Sequence, residues 1–180
     1  MTGAQGIALL SMVCHLTLGK KAFANVESEI ASILETLEPQ RLYMLELAQH
    51  DIHAFQSVMA AYRLPKGTLL EIEVRTNAIQ HALKASAQIP FELFKSCLDI
   101  FPLANRLEMI GNPSVVSDVV VGRYLLFAGL FSAKANVDVN LAGITDEAFC
   151  QEKIGYMQRA LANMPHIAHW GPSAIHVNKT

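Results

Sequence analysis

The chain has 180 residues and a formal net charge of −2, with 52% hydrophobic and 17% charged residues. That is enough chain for one domain with a real core, and its scattered basic residues exclude the clustered electrostatic footprint of a nucleic-acid binder. Three cysteines (Cys14, Cys97, Cys150), odd in number and far apart in apolar contexts, read as buried thiols rather than a disulfide framework or a zinc site.

Residues 1–18 read as a helix of small and apolar residues ended by Gly19-Lys20-Lys21, a glycine with cations at the negative end of the dipole. Asn25 is the expected cap of a second helix, with Glu27 and Glu29 in its first turn and Val26, Ile30, Ile33, Leu34 and Leu37 on one face. Pro39 predicts an interruption. A further amphipathic segment over 40–62 carries the stripe Leu42, Leu45, Leu47, Ile52, Phe55, Val58, Met59 and Tyr62. Leu64-Pro65-Lys66-Gly67 predicts a loop, and Thr68 with Glu71 three residues on is a capping box. The helix after it is expected to run to about residue 87, with a kink or break at Ile89-Pro90 and a further helical stretch over 91–107 containing Pro102.

Gly111-Asn112-Pro113-Ser114 predicts a turn into the most apolar helix of the chain, which is expected to lie in the middle of a bundle. Its polar side chains (Ser117, Asp118, Arg123, Lys134, Asn136, Asp138 and Asn140) therefore each need a partner or a ligand. Gly143 ends that region, and Thr145 and Asp146 cap a last helix over 147–163 that stops at Pro165. The reading is all-α: an up-and-down bundle of about five helices, some kinked at proline, over residues 1–165, with a loosely attached tail over 166–180. No apolar run of about 18 residues is free of charge, so no membrane span is expected and the surplus apolar surface is assigned to an oligomer interface. No leader pattern precedes the first helix, so the expected location is cytoplasmic.

Asp51 stands one position before Ile52 of the apolar stripe, at the edge of the core, where a carboxylate can be tuned for acid–base work or simply be solvated. His50 and His53 share a helix face, but no third ligand at metal spacing accompanies them, and no metal is expected. Lys66 and Arg75 could pair with Asp51 or with an anionic ligand. The serines have no visible base partner, so a hydrolase triad is not suggested.

Five blocks occur in order: SMVCHLTLGKKAF (11–23), DIHAFQSVMAAYRLPK (51–66), RTNAIQHALKASAQIPFEL (75–93), GNPSVVSDVVVG (111–122) and NVDVNLAGITDEAF (136–149). Together they resemble the cyclodeaminase/cyclohydrolase family, comprising the C-terminal domain of formimidoyltransferase-cyclodeaminase and bacterial methenyltetrahydrofolate cyclohydrolases. The resemblance implies a helical fold that dimerises, takes a tetrahydrofolate derivative as substrate and acts without metal on the one-carbon unit bridging N5 and N10. Carried over by motif, it implies catalytic roles for Asp51, as general acid/base, and Lys66. It implies substrate binding by Arg75, Ser117, Asp118, Asn136 and Asn140. Lys20, Lys21 and Arg106 are candidates for the folate carboxylates by charge alone. Relatives open with a P-G-G-G-S-x-A-A segment, whereas Met1-Thr2-Gly3-Ala4 aligns inside the helix that comes after it. Asp138 stands where relatives carry an aliphatic residue. The alternative expectation is an N-terminally truncated, inactive relative serving as a dimeric binding or structural module.

Overall fold

The computed structural model describes residues 1–164, so the expected tail lies outside the described residues. Five α-helices occur in them: α1 (Thr2–Thr17), α2 (Glu27–Tyr62), α3 (Leu69–Ile110), α4 (Val116–Leu141) and α5 (Glu147–Ala162). The first four form a ring in which α1 packs on α2 and α4, and α3 on α2 and α4. Ile7, Leu10, Ile30, Leu37, Met44, Phe94, Leu126 and Leu130 are fully buried between them.

Local signals set most boundaries. Gly19, with φ of 73°, turns the chain out of α1. The Thr68 hydroxyl accepts the Glu71 amide at 3.2 Å while Glu71 accepts the Thr68 amide at 2.9 Å, so the expected capping box is formed. Asn112 accepts the Ser114 amide at 3.1 Å in the turn into α4, and Asp146 accepts the Phe149 amide at 3.0 Å to start α5.

Three expectations are corrected. Asn25 does not cap α2. A 3-10 turn over Lys21–Phe23 and the Val26-to-Phe23 backbone bond leave Val26 at the boundary, with no side-chain cap. Nor do the prolines divide the chain: α2 runs through Pro39 over 36 residues, and α3 through Pro90 and Pro102 over 42. An interior proline costs roughly 3 kcal/mol, yet tertiary packing outweighs it where both flanks of the helix bury a core. Phe94, Cys97 and Ile100, between Pro90 and Pro102, are at most 1% exposed. Finally, α4 is a corner of the ring rather than its axis. Its inner face is buried, while Val121, Tyr124, Phe131 and Val139 face outward, although the stretch Pro113–Leu141 is apolar and long enough to span a bilayer.

The register of α1 determines where the bundle opens. Gly6 lies against Gly122, and Gly3 against Gly129, so α1 and α4 run antiparallel with their backbones in near contact. Gly3 is also level with Met44 of α2 and Cys97 of α3. At 1.5 Å per residue α1 spans about 24 Å, against about 54 Å for α2 and about 63 Å for α3. Among the described residues, α1 lies beside only part of the longer hairpin of α2 and α3. The stripe predicted on residues 40–62 is only partly core: Leu47 is buried and Leu45 and Val58 pack against the core, but Leu42, Ile52, Phe55, Met59 and Tyr62 are exposed.

Candidate active site

At the Met1 end of α1 the described residues leave the fourth corner of the ring open, and two adjoining clefts occupy it. The inner one, about 210 Å³, has Met1, Thr2 and Gly3 as its floor and is walled by α2 (Met44, Asp51), α3 (Ile89, Pro90) and α4 (Ser132, Asn136). The outer one, about 370 Å³, is lined by Asp51, Ile52, Phe55, Ser86, Asn136 and Asn140. Asp51 and Asn136 belong to both. Together the clefts fall in the range of small-molecule sites, roughly 300–1,000 Å³.

Helical spacing explains this convergence. Asp51 and Phe55 are four apart on α2, and Asn136 and Asn140 four apart on α4, so each pair shares one face. The Asn140 Nδ2 donates to the Ser86 carbonyl across to α3 at 3.3 Å. Asp51 makes no ion pair among the described residues, and no lysine or arginine among them lines either cleft. Among the described residues no group of three or more His, Cys, Asp and Glu side chains is placed to hold a metal.

The other predicted residues lie elsewhere on this chain. Lys66 is exposed at the tip of the α2–α3 hairpin. Arg75 stands nearby, its Nη2 donating to the Tyr62 carbonyl at 3.2 Å and its guanidinium 5.7 Å from the Tyr62 ring centre. From Asp51 to Tyr62 the helix rises about 16 Å. Ser117 and Asp118 sit at the opposite end of α4, 18 positions and so about 27 Å from Asn136. Arg106 is engaged by Glu29 through two bonds of 2.6 and 2.8 Å, which hold that carboxyl below the usual range. Of the remaining polar groups on α4, Arg123 is buried and bonded to Glu108 (2.5 Å) and Asn105 (3.1 Å), and Lys134 pairs with Asp138 at 2.6 Å. Sequence reasoning did not pick out Phe55 or Ser86 as cleft residues. The i, i+4 spacing from Asp51 could have found Phe55; nothing local pointed to Ser86.

A family model described as formiminotransferase-cyclodeaminase matches residues 1–159. The methenyltetrahydrofolate cyclohydrolase of Methylorubrum extorquens is 40% identical over 162 residues, covering 90% of this chain and 78% of that protein. The formimidoyltransferase-cyclodeaminase of Rattus norvegicus is 32% identical over 146 residues, and there the match covers 81% of this chain but only 27% of the relative. The crystal structure of formiminotetrahydrofolate cyclodeaminase from Thermotoga maritima superposes with a TM-score of 0.78 at 32% identity, covering 89% of this chain and 76% of that one. The match spans the open corner and the helices that frame it, and the chain belongs to the formiminotransferase-cyclodeaminase family.

Proposed function

We propose that this chain is a folate one-carbon enzyme, a methenyltetrahydrofolate cyclohydrolase or a formiminotetrahydrofolate cyclodeaminase, with Asp51 as its acid–base group. The observation that carries this reading is the position of Asp51, an unpaired carboxylate facing two adjoining clefts beside Asn136 and Asn140. A methenyl bridge is an amidinium cation, which a lone carboxylate attracts. In hydrolysis the water oxygen bonds to the bridge carbon while Asp51 takes a proton. That proton passes to N5 as the carbon–N5 bond breaks, and the hydroxyl proton is released to solvent, leaving a formyl group on N10. In deamination N10 bonds to the formimino carbon and gives up its proton, and the imino nitrogen gains that proton and one more as its bond to the carbon breaks, leaving as ammonia. The amides of Asn136 and Asn140 hold the pterin so that the reacting atoms meet, and the exposed Phe55 ring offers it an apolar face. Lys66 and Arg75, about 16 Å or more along the hairpin from Asp51, are placed to meet the acidic end of an elongated folate rather than its reacting carbon.

Ser117 and Asp118 reach this cleft from a second copy. The outward positions of α4 (Ser117, Val121, Tyr124, Ala128, Phe131, Ala135 and Val139) recur at spacings of three and four, nearly symmetric about the small Ala128. Two copies paired antiparallel along this seam bring residue 118 of one beside residue 138 of the other, close to Asn136 and Asn140. Sedimentation is expected to give a dimer; a monomer at assay concentration would overturn the seam. Purified protein is expected to accelerate methenyltetrahydrofolate hydrolysis followed by absorbance, and Asp51→Asn to abolish the acceleration with helical circular dichroism unchanged. Folded wild-type protein that accelerates neither methenyltetrahydrofolate hydrolysis nor ammonia release from formiminotetrahydrofolate overturns the enzyme reading in favour of a binding module.

A further inference from the structure

Pro90 lies inside α3, where the residue at that position would normally donate its amide to the carbonyl four positions back. That carbonyl is Ser86, and proline has no N–H to give. A buried backbone carbonyl left without a donor is unfavourable, and Ser86 is only 7% exposed. The donor comes from another helix: Asn140 Nδ2 of α4, at 3.3 Å. Since a carbonyl can only accept, the bond also fixes which way round the Asn140 amide sits: its NH2 faces α3. What remains for the outer cleft is the carbonyl oxygen Oδ1, an acceptor with a fixed direction. Pro90 itself walls the inner cleft, so the defect in the helix and the side chain it captures stand on the two halves of one site.

We infer that Pro90 is a positioning residue: by withholding an N–H from Ser86 it locks Asn140 with Oδ1 toward the ligand, which selects for N–H donors on the ligand's ring edge. The role toward substrate rests on the folate reading, since a reduced pterin carries such donors in its ring amide and its amino group. With alanine at position 90 the α3 ladder closes, Ser86 is satisfied from within its own helix, and Asn140 is released to rotate.

Pro90→Ala removes a helix-interior proline, so the variant is expected to fold and to melt higher than wild type. Its KM for methenyltetrahydrofolate is expected to rise about fivefold, the worth of one hydrogen bond, with kcat within twofold, because uniform binding is what is lost. Asn140→Ala should raise KM by at least as much, and adding Pro90→Ala to it should change KM no further. A purely structural effect of straightening α3 would instead add to the loss from Asn140→Ala. In 15N-labelled protein the Asn140 side-chain NH2 pair, assigned by its loss in Asn140→Ala, is expected to be protected from solvent exchange in wild type and unprotected in Pro90→Ala. An unchanged KM in Pro90→Ala, additive variants, or an unprotected pair in wild type each overturn the inference. Wild-type protein that turns over neither methenyltetrahydrofolate nor formiminotetrahydrofolate overturns the folate reading and Asn140's role toward that substrate, while a protected pair lost in Pro90→Ala would still establish the hold.

Discussion

The place of Met1, Thr2 and Gly3 in the inner cleft depends on the register of α1 against α4, and the contact between Gly6 and Gly122 sets it. A Cβ placed on Gly6 would meet the Gly122 carbonyl oxygen at 2.7 Å and the Leu126 backbone nitrogen at 3.1 Å. Both are main-chain atoms of α4, so no rotamer change relieves them, and ordinary contact at 3.4 Å requires the helices to part by about 0.7 Å. Leu10 and Leu126, both 0% exposed, lie in that interface and lose contact as it opens. Overpacking of this kind costs roughly 1–3 kcal/mol, and a clash with backbone falls in the upper part of that range. Against it stands the gain of about 1 kcal/mol for replacing glycine by alanine within a helix. Gly6→Ala should therefore lose about 1–2 kcal/mol, a drop in Tm of about 2–8 °C for a chain of this size. Gly155→Ala on α5 provides the contrast. Its Cβ meets only the tip of the Arg159 side chain, at 3.1 Å, so propensity wins and the variant gains about 0.5–1 kcal/mol. Thermal melts followed by circular dichroism read both. A Gly6→Ala protein as stable as wild type would refute the close approach of α1 and α4, and with it the origin of the cleft floor.

Thr68→Ala removes the capping box that starts α3, where Glu71 also accepts the Gly67 amide at 2.8 Å, and is expected to lower stability by about 1 kcal/mol in urea titrations; no shift in midpoint would mean the hairpin tip is frayed. Asp146 is held below the usual carboxylate range first by its bond to Lys84 and then by the Phe149 amide, Glu29 by Arg106, and Glu38 by Arg41. Carboxyl groups depressed in the folded state contribute stability that is complete above their unfolded pKa and disappears as pH falls through the folded value. The urea midpoint should therefore decline steadily below about pH 5, and less so in Asp146→Asn; a flat profile down to about pH 2 contradicts these pairings. Burial pushes the thiols of Cys14 and Cys97 up to about 12, so a disulfide-exchange reagent at neutral pH should label at most Cys150 in the native protein and all three cysteines in denaturant. Fast labelling of Cys14 or Cys97 would place the core elsewhere.

What could be read from residues alone divides along one physical line. Most signals closed within a few positions survived: the Thr68–Glu71 box, the glycine stop at Gly19 and the Asp146 cap. Polar groups on an apolar helix were also informative, because burial demands a partner for each. Of them only Arg123 is buried, and it has Glu108 and Asn105 as partners; Asn140 donates to the Ser86 carbonyl, and Asn136 is exposed at the cleft. What failed depended on distant chain, apart from the Asn25 cap, which the local 3-10 turn over Lys21–Phe23 displaced. An interior proline interrupts an isolated helix, but whether it breaks α3 is decided by a donor from 54 residues away, which only the fold brings within reach. The stripe predicted on α2 mixes two faces: Leu47 is buried and Val58 packs on the core, while Leu42, Ile52, Phe55, Met59 and Tyr62 stand open, and the buried face continues past Asp51 through Ala54 and Ala61. Periodicity reports that a face is apolar; which neighbouring helix lies against it determines whether that face becomes core or cleft. In this chain the four-residue step from Leu47 to Asp51 crosses that border, so a single amphipathic helix contributes both packing and the proposed acid.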